Sequence, residues 1–331
     1  MMIDTAPFFG ADIQALGNLA AAGGFATGSG SLVDEDIADA YVARLLEGNR
    51  IKRAISVVWD CGNGAAGPAT VALCETLPGS HRILFPEVDG DFPNHHPDPT
   101  VPENLETLIE TVAEVGADLG IAFDGDGDRI GVVDDKGRIL WGDQLIAILA
   151  EDVLAERPGA TIIADVKASQ ILFDRVAALG GVPEMWRTGH SLIKTRMAET
   201  GAPLAGEMSG HIFFKDRYYG FDDALYAAIR LIETLGGREE PLSVLRDRLP
   251  QMVNTPELRF PCSEERKFSA IDDVKVWLEG RGGLEISKVD GVRVKNANGW
   301  WLLRASNTQD VLVARCESDT KAGLASLKGD L

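Results

Sequence analysis

The stretch Asp118-Leu119-Gly120-Ile121-Ala122-Phe123-Asp124-Gly125-Asp126-Gly127-Asp128-Arg129-Ile130-Gly131-Val132-Val133 decides how this chain is read. Two apolar runs flank a hexamer in which Asp alternates with Gly, and the runs read as buried strands. Three carboxylates so close together repel one another unless a cation sits among them. Alternate side chains of an extended segment point to one side, and the glycines let the backbone turn so that the oxygens converge. An all-oxygen donor set favours a hard cation, with Mg2+ first. A solvated acidic turn is the bland alternative, but it gives no reason for so regular a spacing.

On the N-terminal side, residues 54–60 read as a strand, 61–67 as a glycine-rich turn and 69–77 as a helix. Segment 92–99 holds three prolines and cannot be helix interior. A helix over 102–114 then leads into the strand that enters the acidic loop. An earlier helix is expected over 36–47. On the C-terminal side the alternation repeats, with helices over 144–156, 169–179 and 191–199, strands over 161–166 and 182–187, a strand-loop-strand over 204–214 and a helix over 222–235. Such alternation indicates α/β layers, and its repetition suggests two copies of one unit. After Pro250 the texture changes: short β-like runs (257–260, 291–295, 300–304, 310–317) surround a helix over 268–278, and a helix begins at 320. Residues 1–9 read as a strand, 10–16 as a short helix and 23–31 as linker. So small a piece cannot bury a core alone and is expected to pack atypically, as the tail of a larger unit. The fold class is therefore α/β: a remnant of a first domain (1–33), two consecutive mixed-sheet α/β domains (34–140 and 141–250), and a smaller α+β domain (251–331).

A length of 331 residues suits several domains. A net charge of −19 argues against non-specific nucleic-acid or anionic-membrane binding, and an anionic substrate would need a local cluster of cations. Cys61, Cys74, Cys262 and Cys316 are scattered without metal spacing, as in a reduced compartment. No apolar run reaches membrane-spanning length, and the start lacks signal-peptide character. No nucleic acid and no membrane are expected as partners, and a cytoplasmic location is. The sequence leaves the oligomeric state open, with a monomer as the default.

Other loops carry candidate chemistry. Gly206-Glu207-Met208-Ser209-Gly210-His211 offers a carboxylate, a hydroxyl and an imidazole, suited to bridging sugar hydroxyls and moving a proton. Arg304-Ala305-Ser306-Asn307-Thr308 follows a strand and offers a guanidinium, two hydroxyls and an amide, which suit a phosphate dianion. Lys167 and His190 each lie just past a strand, the end where open α/β sheets bind ligands. His95 and His96 are assigned to a structural connection. The acidic loop fails as an EF-hand, because Arg129 and Asp135 stand where that loop needs Gly and Glu. A phosphatase loop of haloacid-dehalogenase type, with Asp124 as nucleophile and Asp126 two residues on, stays open as an alternative, although Asp128 departs from its pattern.

Taken together, Asp124–Arg129, Gly206–His211 and Arg304–Thr308, in this order and spacing, resemble the α-D-phosphohexomutases, most nearly their bacterial phosphomannomutase/phosphoglucomutase branch. Pro93-Asn94-His95-His96-Pro97-Asp98-Pro99, Trp186–Lys194 and Gly220-Phe221-Asp222-Asp223 support the resemblance, which runs from about residue 12 to the C-terminus. It implies a cleft between domains of phosphohexomutase type and interconversion of hexose 6-phosphate and hexose 1-phosphate through a bisphosphorylated sugar. One Mg2+ held by Asp124, Asp126 and Asp128 is implied, as is a glucose 1,6-bisphosphate-type activator. Arg129 and His211 are the implied catalytic groups. Lys167, His190, Glu207, Ser209 and His211 would contact a phosphorylated hexose, and Arg304, Ser306, Asn307 and Thr308 would grip its non-transferring phosphate.

Two departures stand out. The family's serine loop, of the form Thr-Ala-Ser-His-Asn-Pro, does not occur in residues 1–331. The resemblance therefore implies binding of metal and phosphosugar without turnover by these residues alone, or a non-catalytic phosphosugar-binding remnant. Gln309-Asp310 stands where the family often has a Pro nearby, so an altered grip turn is expected.

Overall fold

The computed structural model describes residues 2–3, 6–307 and 309–331. Its first α/β unit is built on a five-stranded sheet ordered His81–Leu84, Val57–Asp60, Leu119–Phe123, Ile130–Asp134, Ile139–Leu140. The first three strands are parallel, and the last two are antiparallel to their neighbours. The second unit has a four-stranded sheet ordered Val182–Trp186, Thr161–Asp165, Leu204–Gly206, Ile212–Phe214, with the first three parallel and the last antiparallel. In chain order the first sheet runs 2-1-3-4-5 and the second 2-1-3-4, so over four strands the repetition suggested by the sequence is a repetition of topology. In each, the first strand is central and its neighbours come from opposite sides, which opens a crevice at the carboxyl ends.

The third unit is a six-stranded antiparallel sheet carrying Glu264–Leu278 and Lys321–Asp330 as helices. Its own core gathers Ile271, Leu278, Val292, Val294, Trp301, Cys316 and Leu327.

The two α/β units share one core, because two helices belong to both. Gly142–Glu156 packs against strands Ile130–Asp134 and Leu204–Gly206, and Ala224–Gly236 packs against Ile130–Asp134 and Ile212–Phe214. The second helix is buried nearly all round, as a helix apolar on every face must be. Its one cation, Arg230, forms a two-pronged pair with Asp216 at 2.7 and 2.9 Å and lies over the Phe214 ring. Burying a charge is tolerable when it is paired and hydrogen-bonded in this way.

Several expectations shift. The strand His81–Leu84 is absent from the sequence reading: its residues are only partly buried and show no clean alternation. The helix expected over 69–77 starts at Gly67, where a Cβ would lie 2.0 Å from the Pro86 carbonyl oxygen. Helix 102–114 divides into a 3-10 turn, Pro102–Leu105, and an α-helix, Glu106–Val115. Of the strand expected over 1–9, residues 1, 4 and 5 lie outside the described residues, and Met2–Ile3 pairs antiparallel with Ala6–Pro7. The short helix after it extends over Ala11–Ala22, ends at Gly23 in the left-handed region, and buries none of its residues.

Candidate functional site

The acidic loop is folded by its own first residue. Strand Leu119–Phe123 is buried throughout and delivers Asp124 at 2% exposure. One oxygen of Asp124 accepts the backbone N–H groups of Gly127, Asp128 and Arg129, each at 3.1 Å, and the other accepts Arg129 Nε at 2.6 Å. Gly127 turns at φ +79° to allow this. One oxygen from each of Asp124, Asp126 and Asp128 then falls within 4.8 Å of the others. Burial first, then repulsion from Asp124 and Asp126, pushes the Asp128 carboxyl up to about 6, against the attraction of His211. An oxygen-only donor set with unrelieved repulsion fits a hard divalent cation.

The Pro-rich segment encloses this loop rather than merely connecting strands. Asp98 accepts Arg129 Nη1 at 3.2 Å, and His95 Nε2 lies 3.0 Å from the fully buried Asp60 at the end of the central strand. His96 is exposed.

The sugar-type loop joins the acidic loop edge to edge. Arg129 and His211 form an antiparallel bridge, and Ile130 N donates to Gly210 O at 3.0 Å. Only glycine fits at 210: φ is +99° and a Cβ would lie 2.6 Å from Ile130 O. His211 Nδ1 stands 3.4 Å from Asp128 Oδ1 and 3.3 Å from Asp222 Oδ2. Asp222 also meets His190 Nδ1 at 3.0 Å and Lys194 Nζ at 2.8 Å, and the His190 ring stacks on that of His211. Burial opposes ionisation of Asp222, but His190, the His211 imidazole 3.3 Å away and Lys194 outweigh it and hold its carboxyl well below the usual range. Burial likewise disfavours the His211 imidazolium, yet Asp222, Glu207 and Asp128 raise its pKa above the ordinary value. Asp222 is thus the hub of this half of the site. Its signal in the sequence was the Asp-Asp pair after Gly220-Phe221, to which no role was given.

A second hub, Asp165, is fully buried at the end of the second sheet's central strand. It accepts Met208 N at 3.1 Å and Thr188 Oγ1 at 3.1 Å, so it fixes the sugar-type loop and the His190 loop together. Glu207 accepts Gly189 N at 2.6 Å and Ser209 Oγ at 3.1 Å. Lys167 Nζ lies 3.4 Å from Glu257, a partner the sequence did not suggest, and 4.0 Å from Asp165.

The phosphate-type loop meets the others at Thr188. Asp290 accepts both Arg304 Nε, at 2.9 Å, and Thr188 N, at 3.0 Å, and Asn307 Nδ2 donates to Thr188 O at 3.4 Å. The Ser306 hydroxyl accepts Gln309 N at 3.2 Å. Gln309 is itself engaged by Lys267 and Arg259, so the turn closes without a proline. Thr308 lies outside the described residues. The acidic loop, His190, Glu207, Ser209 and His211 therefore form one connected group. Arg304 and Asn307 join it through Thr188, and Lys167 joins through Asp165. No hydrogen bond or ion pair links Arg304 or Lys167 to the three aspartates among the described residues.

Three family profiles match in tandem: phosphoglucomutase/phosphomannomutase alpha/beta/alpha domain II over residues 39–137, alpha/beta/alpha domain III over 141–253, and the C-terminal domain over 257–331. The phosphomannomutase/phosphoglucomutase of Pseudomonas aeruginosa is 46% identical over 319 residues, covering 96% of this chain and 68% of its own length. This chain belongs to the phosphoglucomutase/phosphomannomutase family. The Pseudomonas putida member is 50% identical over 293 residues, which are 88% of this chain and 63% of that protein, so the chain spans less than two thirds of that relative. A crystal structure of a family protein from Burkholderia thailandensis superposes with a TM-score of 0.92 at 45% identity, over 98% of this chain and 69% of that one. The family is one of isomerases of carbohydrate metabolism, and the α/β units with their C-terminal α+β unit are its architecture. Among the described residues no helix is long and apolar enough to cross a membrane.

Proposed function

We propose that this chain supplies the metal-, sugar- and phosphate-binding faces of a phosphohexomutase that interconverts hexose 6-phosphate and hexose 1-phosphate through a bisphosphorylated sugar. The observation that carries this reading is the direct seam between the acidic loop and the sugar-type loop, the Arg129–His211 bridge. It puts a metal-type donor set and a proton-carrying imidazole side by side. A phosphorylated hexose is the substrate class, a bisphosphorylated hexose is the activator class, and the protein works in the cytoplasm.

Asp124, Asp126 and Asp128 would hold Mg2+, which when bound supplies charge neutralisation for a transferring phosphoryl group. Arg129, held on both sides by Asp124 and Asp98, adds a fixed positive charge that need not reorganise. Glu207 and Ser209 orient sugar hydroxyls, while His190 and Lys167 position the ligand. His211, with Asp222 raising its basicity, takes and returns the proton of the attacking hydroxyl. Arg304, Ser306, Asn307 and Thr308 grip the phosphate that does not transfer. Both ends of the hexose must be acceptable to that grip in turn, because the bisphosphorylated intermediate reverses between half-reactions.

Residues 1–331 contain no Ser-His-Asn-Pro sequence to carry the phosphoryl group, so isomerisation by these residues alone is not expected. The test is calorimetric titration of glucose 1-phosphate with Mg2+ present, followed by conversion assays with and without a family first domain added in trans. Binding without conversion by residues 1–331 supports the reading. Robust conversion by them alone, or binding unchanged in Arg304→Met, defeats it. An Asp124→Asn variant separates the phosphatase alternative, which would lose all hydrolysis along with any trapped phospho-aspartate.

A further inference from the structure

Asp128, His211 and Asp222 each offer one donor atom, and these three atoms lie within 4.8 Å of one another. They come from three different segments: the acidic loop, the start of strand Ile212–Phe214, and the turn before helix Ala224–Gly236. The group shares only Asp128 with the aspartate loop, and it contains a nitrogen.

The spacing is that of a coordination sphere. Zn–N and Zn–O bonds of about 2.0–2.2 Å put tetrahedral donors about 3.3–3.5 Å apart. His211 Nδ1 lies 3.4 Å from Asp128 Oδ1 and 3.3 Å from Asp222 Oδ2. Neither approach has hydrogen-bond geometry, and His211 Nδ1 is buried without a hydrogen-bond partner. A buried nitrogen 3.3–3.4 Å from two carboxylate oxygens and hydrogen-bonded to neither has the spacing of a metal ligand before the ion arrives. Asp222 is ready for this role, since Lys194 occupies its Oδ1 at 2.8 Å and leaves Oδ2 toward the imidazoles. His190 Nδ1 meets the same Oδ2 at 3.0 Å and Lys194 Nζ at 3.4 Å, so it backs Asp222 from outside the three-donor group.

We propose that Asp128, His211 and Asp222 form a second metal site, with water in the fourth position, that takes a borderline divalent transition ion such as Zn2+ or Co2+. The donors select against Mg2+, which needs an octahedral oxygen set, and follow the preference of imidazole for later transition ions. Asp128 would bridge this site and the aspartate loop. One consequence rests on the proposed function: an ion held here withdraws His211 from the sugar, so Zn2+ inhibits where Mg2+ supports.

The test needs no turnover. Chelator-treated protein saturated with Mg2+ is titrated with Co2+, following its visible absorption, with X-ray absorption to detect imidazole nitrogen around the cobalt. One equivalent should bind with imidazole scattering. Affinity should fall at least about tenfold in His211→Gln and in Asp222→Asn. Because Asp222→Asn also frees Lys194, His211→Gln is the independent variant. If it is folded by circular dichroism and binds Co2+ as tightly as the wild type, the assignment is overturned. It is equally overturned by absence of the band in Mg2+-saturated wild type. Since only metal is read, failure here leaves the phosphosugar reading untouched, and failure of that reading leaves this site standing.

Discussion

One carboxylate oxygen of Asp290 accepts the Nε–H of Arg304 at 2.9 Å, and the same oxygen holds the backbone N–H of Thr188 at 3.0 Å. The phosphate-type loop of the C-terminal unit is therefore fastened to the His190 loop of the second α/β unit through one side chain. Asp290→Ala leaves a nearly buried guanidinium without its counterion, and breaking a buried pair costs about 3–5 kcal/mol. The expected outcome is a lower urea midpoint and weaker glucose 1-phosphate binding by calorimetry. Asp290→Asn, which keeps an acceptor, should lose less of both. Equal losses in the two variants would show that charge, not geometry, is what Asp290 contributes.

Gly210 joins the sugar-type loop to the acidic loop under two constraints that can be separated. Its φ of +99° is one, and the 2.6 Å approach of a Cβ to Ile130 O is the other. Gly159 shares the first, at φ +78°, but nothing lies within 4 Å of its Cβ position. A positive φ alone costs a non-glycine residue about 1–2 kcal/mol. Gly159→Ala should show that loss in urea denaturation, and Gly210→Ala should show distinctly more, together with weakened Mg2+ binding as the seam opens. Matching losses in the two variants would mean that the loop relaxes away from Ile130 without consequence.

His95 makes stability depend on pH. Its hydrogen bond to Asp60 raises its pKa above the ordinary value, against the effect of burial and with help from the Asp60 charge. A group whose folded pKa is raised stabilises the fold most fully below its unfolded pKa, about 6.5 for His. That contribution disappears as pH rises through the folded value. His95→Gln should therefore be less stable than the wild type at pH 5.5, with the gap narrowing by pH 8.5. A gap that widens toward alkaline pH would mean that His95 is held neutral.

The parts of this molecule legible in the sequence are those where one local rule acts alone. The buried strands beside Asp124 show as apolar runs, and the α/β alternation shows in periodicity. Ser169 and Thr320 are caps at the helix starts expected near them, each accepting a backbone N–H from its own helix. What stayed hidden depends on distant pairing. His81–Leu84 is a strand because Val57–Asp60 lies beside it, not because its residues alternate. Asp222, Asp165 and Asp290 look like ordinary polar residues until three-dimensional neighbours give each several donors. Likewise, Asp124 read as a metal ligand but also folds its own loop, a role visible only from three N–H groups converging on one oxygen.

Arg293 puts the coupling between units to the strongest test. It rises from the C-terminal sheet, donates from Nη1 to the carbonyls of Val166 at 2.7 Å and Ala168 at 2.8 Å, and lies 3.7 Å over the Trp300 ring. Those carbonyls flank Lys167, so a side chain of one unit sets the backbone that carries a candidate site residue of another. Arg293→Met removes a buried charge, which on its own relieves a desolvation cost of several kcal/mol. Against this, two buried carbonyls lose their donor at about 1–3 kcal/mol each, and the desolvated stacking on Trp300 is worth about 2 kcal/mol. The fully buried Glu317 also loses a nearby cation. The losses outnumber the relief, so Arg293→Met should unfold at lower urea and bind glucose 1-phosphate more weakly. Arg293→Lys, a single point donor without the planar fork, should fall between it and the wild type. A Met variant as stable as the wild type but with weakened phosphosugar binding would assign Arg293 to positioning Lys167 alone. A Met variant unchanged in both would show that the loop at 165–169 holds its shape without the C-terminal unit.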